Sequence, residues 1–191
     1  MNEYVKFLED HLGMIEQGWS TNVDGEKLPF NVVKFKGGPF SDTVTYSTLG
    51  LSHHSLINPD SNKIIKHELF IVADSNFGNQ KNIPPILHQL GQEALDGHNA
   101  YLRGQVIGPR GRLFKDTNLE ALYATVPVYF PDSFHVFDAG NGEVPTIQVW
   151  MVPITKIEAD FVMRNGWSKF EDLLVDIDPD LIDFTRASII V

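Results

Sequence analysis

Three groups of residues in this 191-residue chain have side chains and spacing that could amount to a site. The first is acidic. Between Glu158 and Asp183 stand Glu158, Asp160, Glu171, Asp172, Asp176, Asp178, Asp180 and Asp183, against only Arg164 and Lys169. That local net charge of −6 is more than half of the chain's −10. Paired carboxylates can act as general acid and base, but a run of them singles out no two. On one surface they steer a basic partner into encounter and hold it by charge-assisted contacts; on solvated faces they serve solubility. The acids following Ser168, namely Glu171, Asp172, Asp176 and Asp178, are the candidate partner-contact residues.

The second group is the seven histidines. His53 and His54 are adjacent, and on a strand adjacent residues point to opposite faces; His67 beside Glu68 meets the same obstacle. A metal-dependent hydrolase built on His53, His54 or His67 with a distant carboxylate is the alternative in the enzyme class. The third group is the stretch from Arg103 to Arg112, with Gly104, Gly108, Gly111 and Arg110. Its amides and guanidiniums could face a phosphate. The structural reading makes it an irregular crossover whose Arg103 threads past carboxylates in the core, where breaking an enclosed pair would cost roughly 3–5 kcal/mol.

Other chemistries are excluded or lack a motif. The chain has no Cys, which removes disulfides, thiolate catalysis and Cys-based zinc sites. It has no Walker-type phosphate loop, no G-x-G-x-x-G turn, no G-x-S-x-G elbow and no H-E-x-x-H helix. The expectation is therefore a protein that is not an enzyme and needs no cofactor or metal. A pI near 5.0 disfavours nucleic acid and anionic membranes as partners. The N-terminus carries Glu3, Glu9 and Asp10 where a secretory leader needs cations, and no stretch reaches the ~20 apolar residues of a membrane span. These features predict a cytoplasmic protein.

The elements that must position these groups follow from periodicity. Tyr4, Leu8, Leu12 and Ile15 share a helical face over 3–15. The stretch from Trp19 to Leu28 reads as polar and turn-rich. Val33 and Phe35 alternate with Val32, Lys34 and Lys36, and Thr43–Thr48 is rich in β-branched residues, which predicts a hairpin across Gly37-Gly38-Pro39. Leu69–Ala73 is the continuous apolar run of a strand covered on both faces. Pro84 and Pro85 suit the first turn of a helix over 84–96. Val126–Pro131 reads as an edge strand and Thr146–Val152 as a strong one. Thr155 and Glu158 form a capping box, Gly166 ends that helix, and Ser168 with Glu171 predicts a second box stopped by Pro179. With 42% hydrophobic residues and 21.5 kDa, the chain can bury a core as one domain over 1–191. The fold class is α+β: a mixed, mostly antiparallel sheet packed with helices in a single compact domain.

Five motifs in order carry a resemblance: Tyr46–His54 (YSTLGLSHH), Arg103–Pro109 (RGQVIGP), Leu122–Ala124 (LYA), Val152–Thr155 (VPIT), and Asn165-Gly166-Trp167 running to Phe170-Glu171-Asp172-Leu173. Together they resemble the suppressor-of-fused domain family over about residues 30–186, and within it the compact bacterial immunity branch. The resemblance implies a binding domain that acts as an antitoxin, neutralising a cognate LXG-type nuclease toxin by direct protein contact. It implies no catalytic residues. Thr45, Tyr46, His53, His54, Arg103 and Gln105 are then expected as framework. The eukaryotic member's second domain has no counterpart in this sequence, so its peptide clamp is not carried over. Nucleases approach phosphates with basic surfaces, so an acidic inhibitor can mimic the phosphate charge. A peptide-binding adaptor that adds a strand to an open sheet edge is a further alternative.

Overall fold

A computed structural model describes residues 3–21 and 24–190. In chain order the elements are α1 (Glu3–Leu12), β1 (Ile15–Thr21), β2 (Lys27–Phe35), β3 (Thr43–Leu49), β4 (Leu56–Ile57), β5 (Ile64–Asp74), α2 (Ile83–Gly97), β6 (Val106–Ile107), β7 (Leu119–Thr125), β8 (Val136–Phe137), β9 (Thr146–Thr155), α3 (Lys156–Asn165) and α4 (Trp167–Ile177). One sheet runs in the order β1-β2-β3-β5-β9-β7-β6, with β4 on β5 and β8 on β9. Every pairing is antiparallel except the central one between β5 and β9. The α+β expectation, with a mixed and mostly antiparallel sheet, holds.

Side-chain alternation divides the core between the two faces of the sheet. Phe70 and Val72 of β5 with Trp150, Val152 and Ile154 of β9 face one side, where Leu8, Ala159 and Phe170 of α1, α3 and α4 meet them. Leu69, Ile71 and Ala73 with Val149 and Met151 face the other, against Leu87 and Leu90 of α2. Both faces are covered, so the two central strands are apolar nearly throughout. In β7 the alternation slips at a bulge between Leu119 and Ala121, which puts these two same-parity residues on opposite faces. On the α2 face, a Cβ added to Gly91 would lie 2.2 Å from the Phe30 ring, so only glycine lets α2 settle this close to β2.

Several local expectations are corrected. The first helix stops at Leu12 rather than 15, because Gly13 turns with φ +77° and Ile15 already belongs to β1. That strand occupies Trp19–Thr21, where a turn was expected; the remainder of the expected turn includes residues 22 and 23, outside the described residues. Val126–Pro131 is not a strand. Pro127 has no amide to give, β7 ends at Thr125, and the chain folds into turns closed by Val128 N donating to Val126 O and Phe130 N to Pro127 O. The Thr155–Glu158 capping box is present, with Glu158 N donating to Thr155 Oγ1 at 3.2 Å and Thr155 N to Glu158 Oε2 at 2.8 Å. The second box is absent. Gly166 itself precedes the first residue of α4, with φ 86° and no capping side chain, so Ser168 lies two residues past the cap position.

The chain's last segment is fastened by a buried ion pair. Arg186 Nη1 and Nη2 donate to Glu158 Oε1 and Oε2 at 2.6 and 3.0 Å, and Ile189 N donates to Oε1 at 3.0 Å. Both side chains are nearly enclosed, at 6% and 0% exposure. Burial alone would raise the Glu158 carboxyl; Arg186 and the surrounding amide donors outweigh it and hold the group below its usual range.

Candidate protein-docking site

The helical period divides the four candidate acids. Residues 171, 174, 175 and 178 share one face of α4, while 172 and 176 share another about 100° away. Glu171 and Asp178 thus turn toward the sheet, and both line a cavity beneath the helix. Asp172 and Asp176 are exposed on the far side and do not join them.

Glu171 is not a free surface charge. Its carboxylate accepts from Arg103 Nε at 3.1 Å and from Nη2 of the same guanidinium, from Tyr123 Oη at 2.9 Å and from Thr125 Oγ1 at 3.2 Å. Burial, and then the bond to Glu171, push the Tyr123 hydroxyl far above the usual phenol range, so it remains a donor. Arg103 does pair with a carboxylate, but at the surface. Its side chain is 49% exposed and lies 5.0 Å over the Trp167 ring, so the expected threading through the core is corrected. The backbone there is tight: Gly104 has φ +91°, and an added Cβ would lie 2.4 Å from Trp167 Cγ. Gln105 fills its framework role by accepting Leu102 N at 2.8 Å.

Three adjoining cavities wrap around residues 178–185. The one beneath α4 has a volume of about 320 Å³ and is walled chiefly by Val128, Val152, Leu174, Val175 and Leu181. It shares Tyr129, Asp178 and Pro179 with a neighbour of about 450 Å³ that collects Asp42, Asp74, Asp178 and Asp180 and has no cation in its lining. A third, about 540 Å³, shares Asp74 and Asp180 and adds Asp116 and Asp183, with Lys115 as its cation. The result is a trough that is apolar at one end and acidic along the rest. Sequence reasoning missed Asp42, Asp74 and Asp116, which lie far from the acidic run. Asp42 precedes β3 and Asp74 ends β5, and the antiparallel register, with Thr43 opposite Asp74, brings them together. Only the strand pairing carried that signal.

The histidines are kept apart. His67 is fully buried, neither ring nitrogen has a hydrogen-bond partner, and the ring stacks on Tyr101 at 6.1 Å. Burial lowers its pKa to about 4. His53 ends a short 3₁₀ turn rather than lying on a strand, and lines a small cavity with Lys66 on the Lys66–Glu68 face of β5, opposite to His67. His54 follows that turn and is half-buried. Among the described residues no three His, Asp or Glu side chains are grouped to hold a metal ion. The Tyr46–His54 motif serves a different end. Buried Glu68 accepts from Ser52 Oγ at 2.7 Å, Ser52 N at 3.0 Å, Gly50 N at 2.9 Å and Thr48 Oγ1 at 2.6 Å. The loop after β3 is thereby locked onto β5 through a carboxylate saturated by donors.

Among the described residues no helix is long and apolar enough to cross a membrane. The family model for suppressor of fused protein (SUFU) matches residues 26–187. No curated protein matches the chain. Among solved structures, a chain described as a SUFU homologue from Neisseria gonorrhoeae superposes with TM-score 0.77 at 17% identity, covering 100% of this chain and 97% of that one. A chain of the Sufu–Fu complex gives 0.70 at 13% identity over 98% of this chain and 91% of that one. Drosophila Suppressor of Fused gives 0.61 at 13% identity, with 84% of this chain covering 43% of that one.

Proposed function

The chain belongs to the suppressor of fused protein family, and from that premise we propose that it is an immunity protein, an antitoxin that neutralises a cognate LXG-type nuclease toxin by stoichiometric protein–protein binding in the cytoplasm and without catalysis. The observation that carries this reading is the cation-free cavity lined by Asp42, Asp74, Asp178 and Asp180. A nuclease domain must present cations to phosphate, and a preassembled set of carboxylates competes for those cations. That a family relative was solved in a complex with Fu supports protein binding as the mode of action. In this reading the acidic trough, which holds Asp178 of the four candidate acids, is the surface that meets the toxin.

The test pairs growth rescue with kinetics. Co-expression with the toxin encoded by the adjacent gene should restore growth. Association of the purified toxin domain should slow as salt rises, and Asp42→Asn with Asp74→Asn and Asp180→Asn should lower the low-salt rate by roughly tenfold or more and flatten the salt slope. Asp172→Asn with Asp176→Asn should change the rate far less. Absence of rescue, or of any complex, overturns the antitoxin assignment.

A further inference from the structure

The cavity beneath α4 has a character the acids alone do not explain. Its walls are largely apolar, aliphatic side chains with Tyr123 and Tyr129, its one cation Arg103 is neutralised by Glu171, and Val175 is 79% exposed and Val128 57% exposed. Glu171 is one acid of its lining, but that carboxylate is already saturated by Arg103, Tyr123 and Thr125 and asks nothing of a ligand. Asp178 stands at the opposite rim, at the left-handed C-cap of α4, where the chain passes into the acidic cavity. Its carboxylate accepts no hydrogen bond from the described residues. An aliphatic pocket with one uncompensated carboxylate at its rim is complementary to an aliphatic side chain with a cation close by.

Resting on the protein-binding reading above, we infer that this cavity is the anchor pocket of the interface. It takes one aliphatic side chain from a partner segment, and a lysine or arginine one or two positions away in that segment meets Asp178. Interface energy concentrates in such enclosed anchors, while the surrounding charges set encounter and register. The Asp178 rim selects a basic segment over a neutral apolar one, and its continuity with the Asp42–Asp180 cavity extends the same preference along the trough. Water leaves Val175 and Val128 only when the pocket is filled, so anchoring and desolvation coincide.

The test selects a random dodecapeptide phage library on the immobilised full chain and measures the enriched peptides by fluorescence polarisation. Expected peptides carry Leu, Ile, Val or Met within two positions of Lys or Arg. Val175→Glu should weaken them about tenfold or more, as should Val128→Glu, and Asp178→Asn about threefold, with the last difference vanishing at high salt. Asn tolerates the left-handed conformation that residue 178 adopts. Met14→Glu, at a site 75% exposed, should leave binding unchanged. No enrichment, neutral consensus sequences, or peptides indifferent to both Val175→Glu and Val128→Glu would overturn the inference. So would self-association of the wild type that Val175→Glu abolishes, since the occupant would then be a second copy. The library contains no toxin. Growth rescue lost with peptide selection intact would sink the antitoxin assignment alone, and the converse would sink the anchor pocket alone.

Discussion

Tyr123 Oη donates to Glu171 Oε1 at 2.9 Å, tying the middle of β7 to the second turn of α4. The bond holds α4 at a distance from the sheet that leaves the apolar cavity open between them. Glu171 is therefore a strut of the proposed docking surface, and its charge is spent inside the protein. Glu171→Gln keeps an acceptor for Tyr123 but loses the ion pair. It should cost about 1–2 kcal/mol in urea melts, and Arg103→Ala a similar amount, because the pair is half exposed and the guanidinium also rests on Trp167. A loss of 3–5 kcal/mol would point to a tighter enclosure than the structure has.

Gly104→Ala should be more damaging than either. The new Cβ meets the Trp167 ring, and the backbone at φ +91° disfavours any L side chain, so a loss of roughly 2–4 kcal/mol is expected. Adding Trp167→Ala should recover only part of the steric loss, because the Cβ of residue 167 itself lies 2.8 Å from the added one, and should leave the backbone part. A double variant no better than Gly104→Ala alone would show that the close approach to Trp167 is not the cause.

His67 makes stability depend on pH in a defined window. Its folded pKa, about 4, lies below the ordinary 6.5, so the unfolded chain binds the proton more readily. The folded state should lose stability as pH falls through 6.5 toward 4, by about 2 kcal/mol between pH 7.5 and pH 5. His67→Leu should flatten that slope, leaving a residue from His88, whose pKa burial also lowers. Glu158, held below its ordinary range, loses its contribution only as pH falls below about 4.5, under the measured span of pH 7.5 to 5. Denaturant melts across the pH series check the slope; an unchanged slope in His67→Leu would refute the assignment.

Arg186→Met should cost roughly 3–5 kcal/mol, since it leaves the Glu158 carboxylate buried without its cation. Replacing both partners with apolar residues should cost much less. Thermal melts of the two variants separate an orphaned charge from a loss of packing.

The sequence disclosed what periodicity and capping govern. The two-sided run at Leu69–Ala73 and the Thr155–Glu158 box both appear as expected, because each depends on neighbours a few residues apart. The strand expected at 126–131 failed where Pro127 removed a donor that the apolar pattern does not register. The docking surface was only half visible. Asp178 and Asp180 announce themselves by local charge, but Asp42 and Asp74 acquire meaning only through the register of β3 against β5. The internal engagement of Glu171 was not legible, because nothing nearby in sequence foretells that Arg103, Tyr123 and Thr125 converge on it.

The parallel seam between β5 and β9 joins residues 66–70 to 146–150, and the acidic cavity draws Asp42 and Asp74 from one side of that seam and Asp178 and Asp180 from the other. A nascent chain that has made only its first half holds half a binding surface, and loop closure across some eighty residues must precede the rest. On the proposed function, competence to capture a partner is thus a readout of completed folding. By mass action, a captured partner in turn stabilises only the finished molecule, so each bound complex protects the same seam that made binding possible.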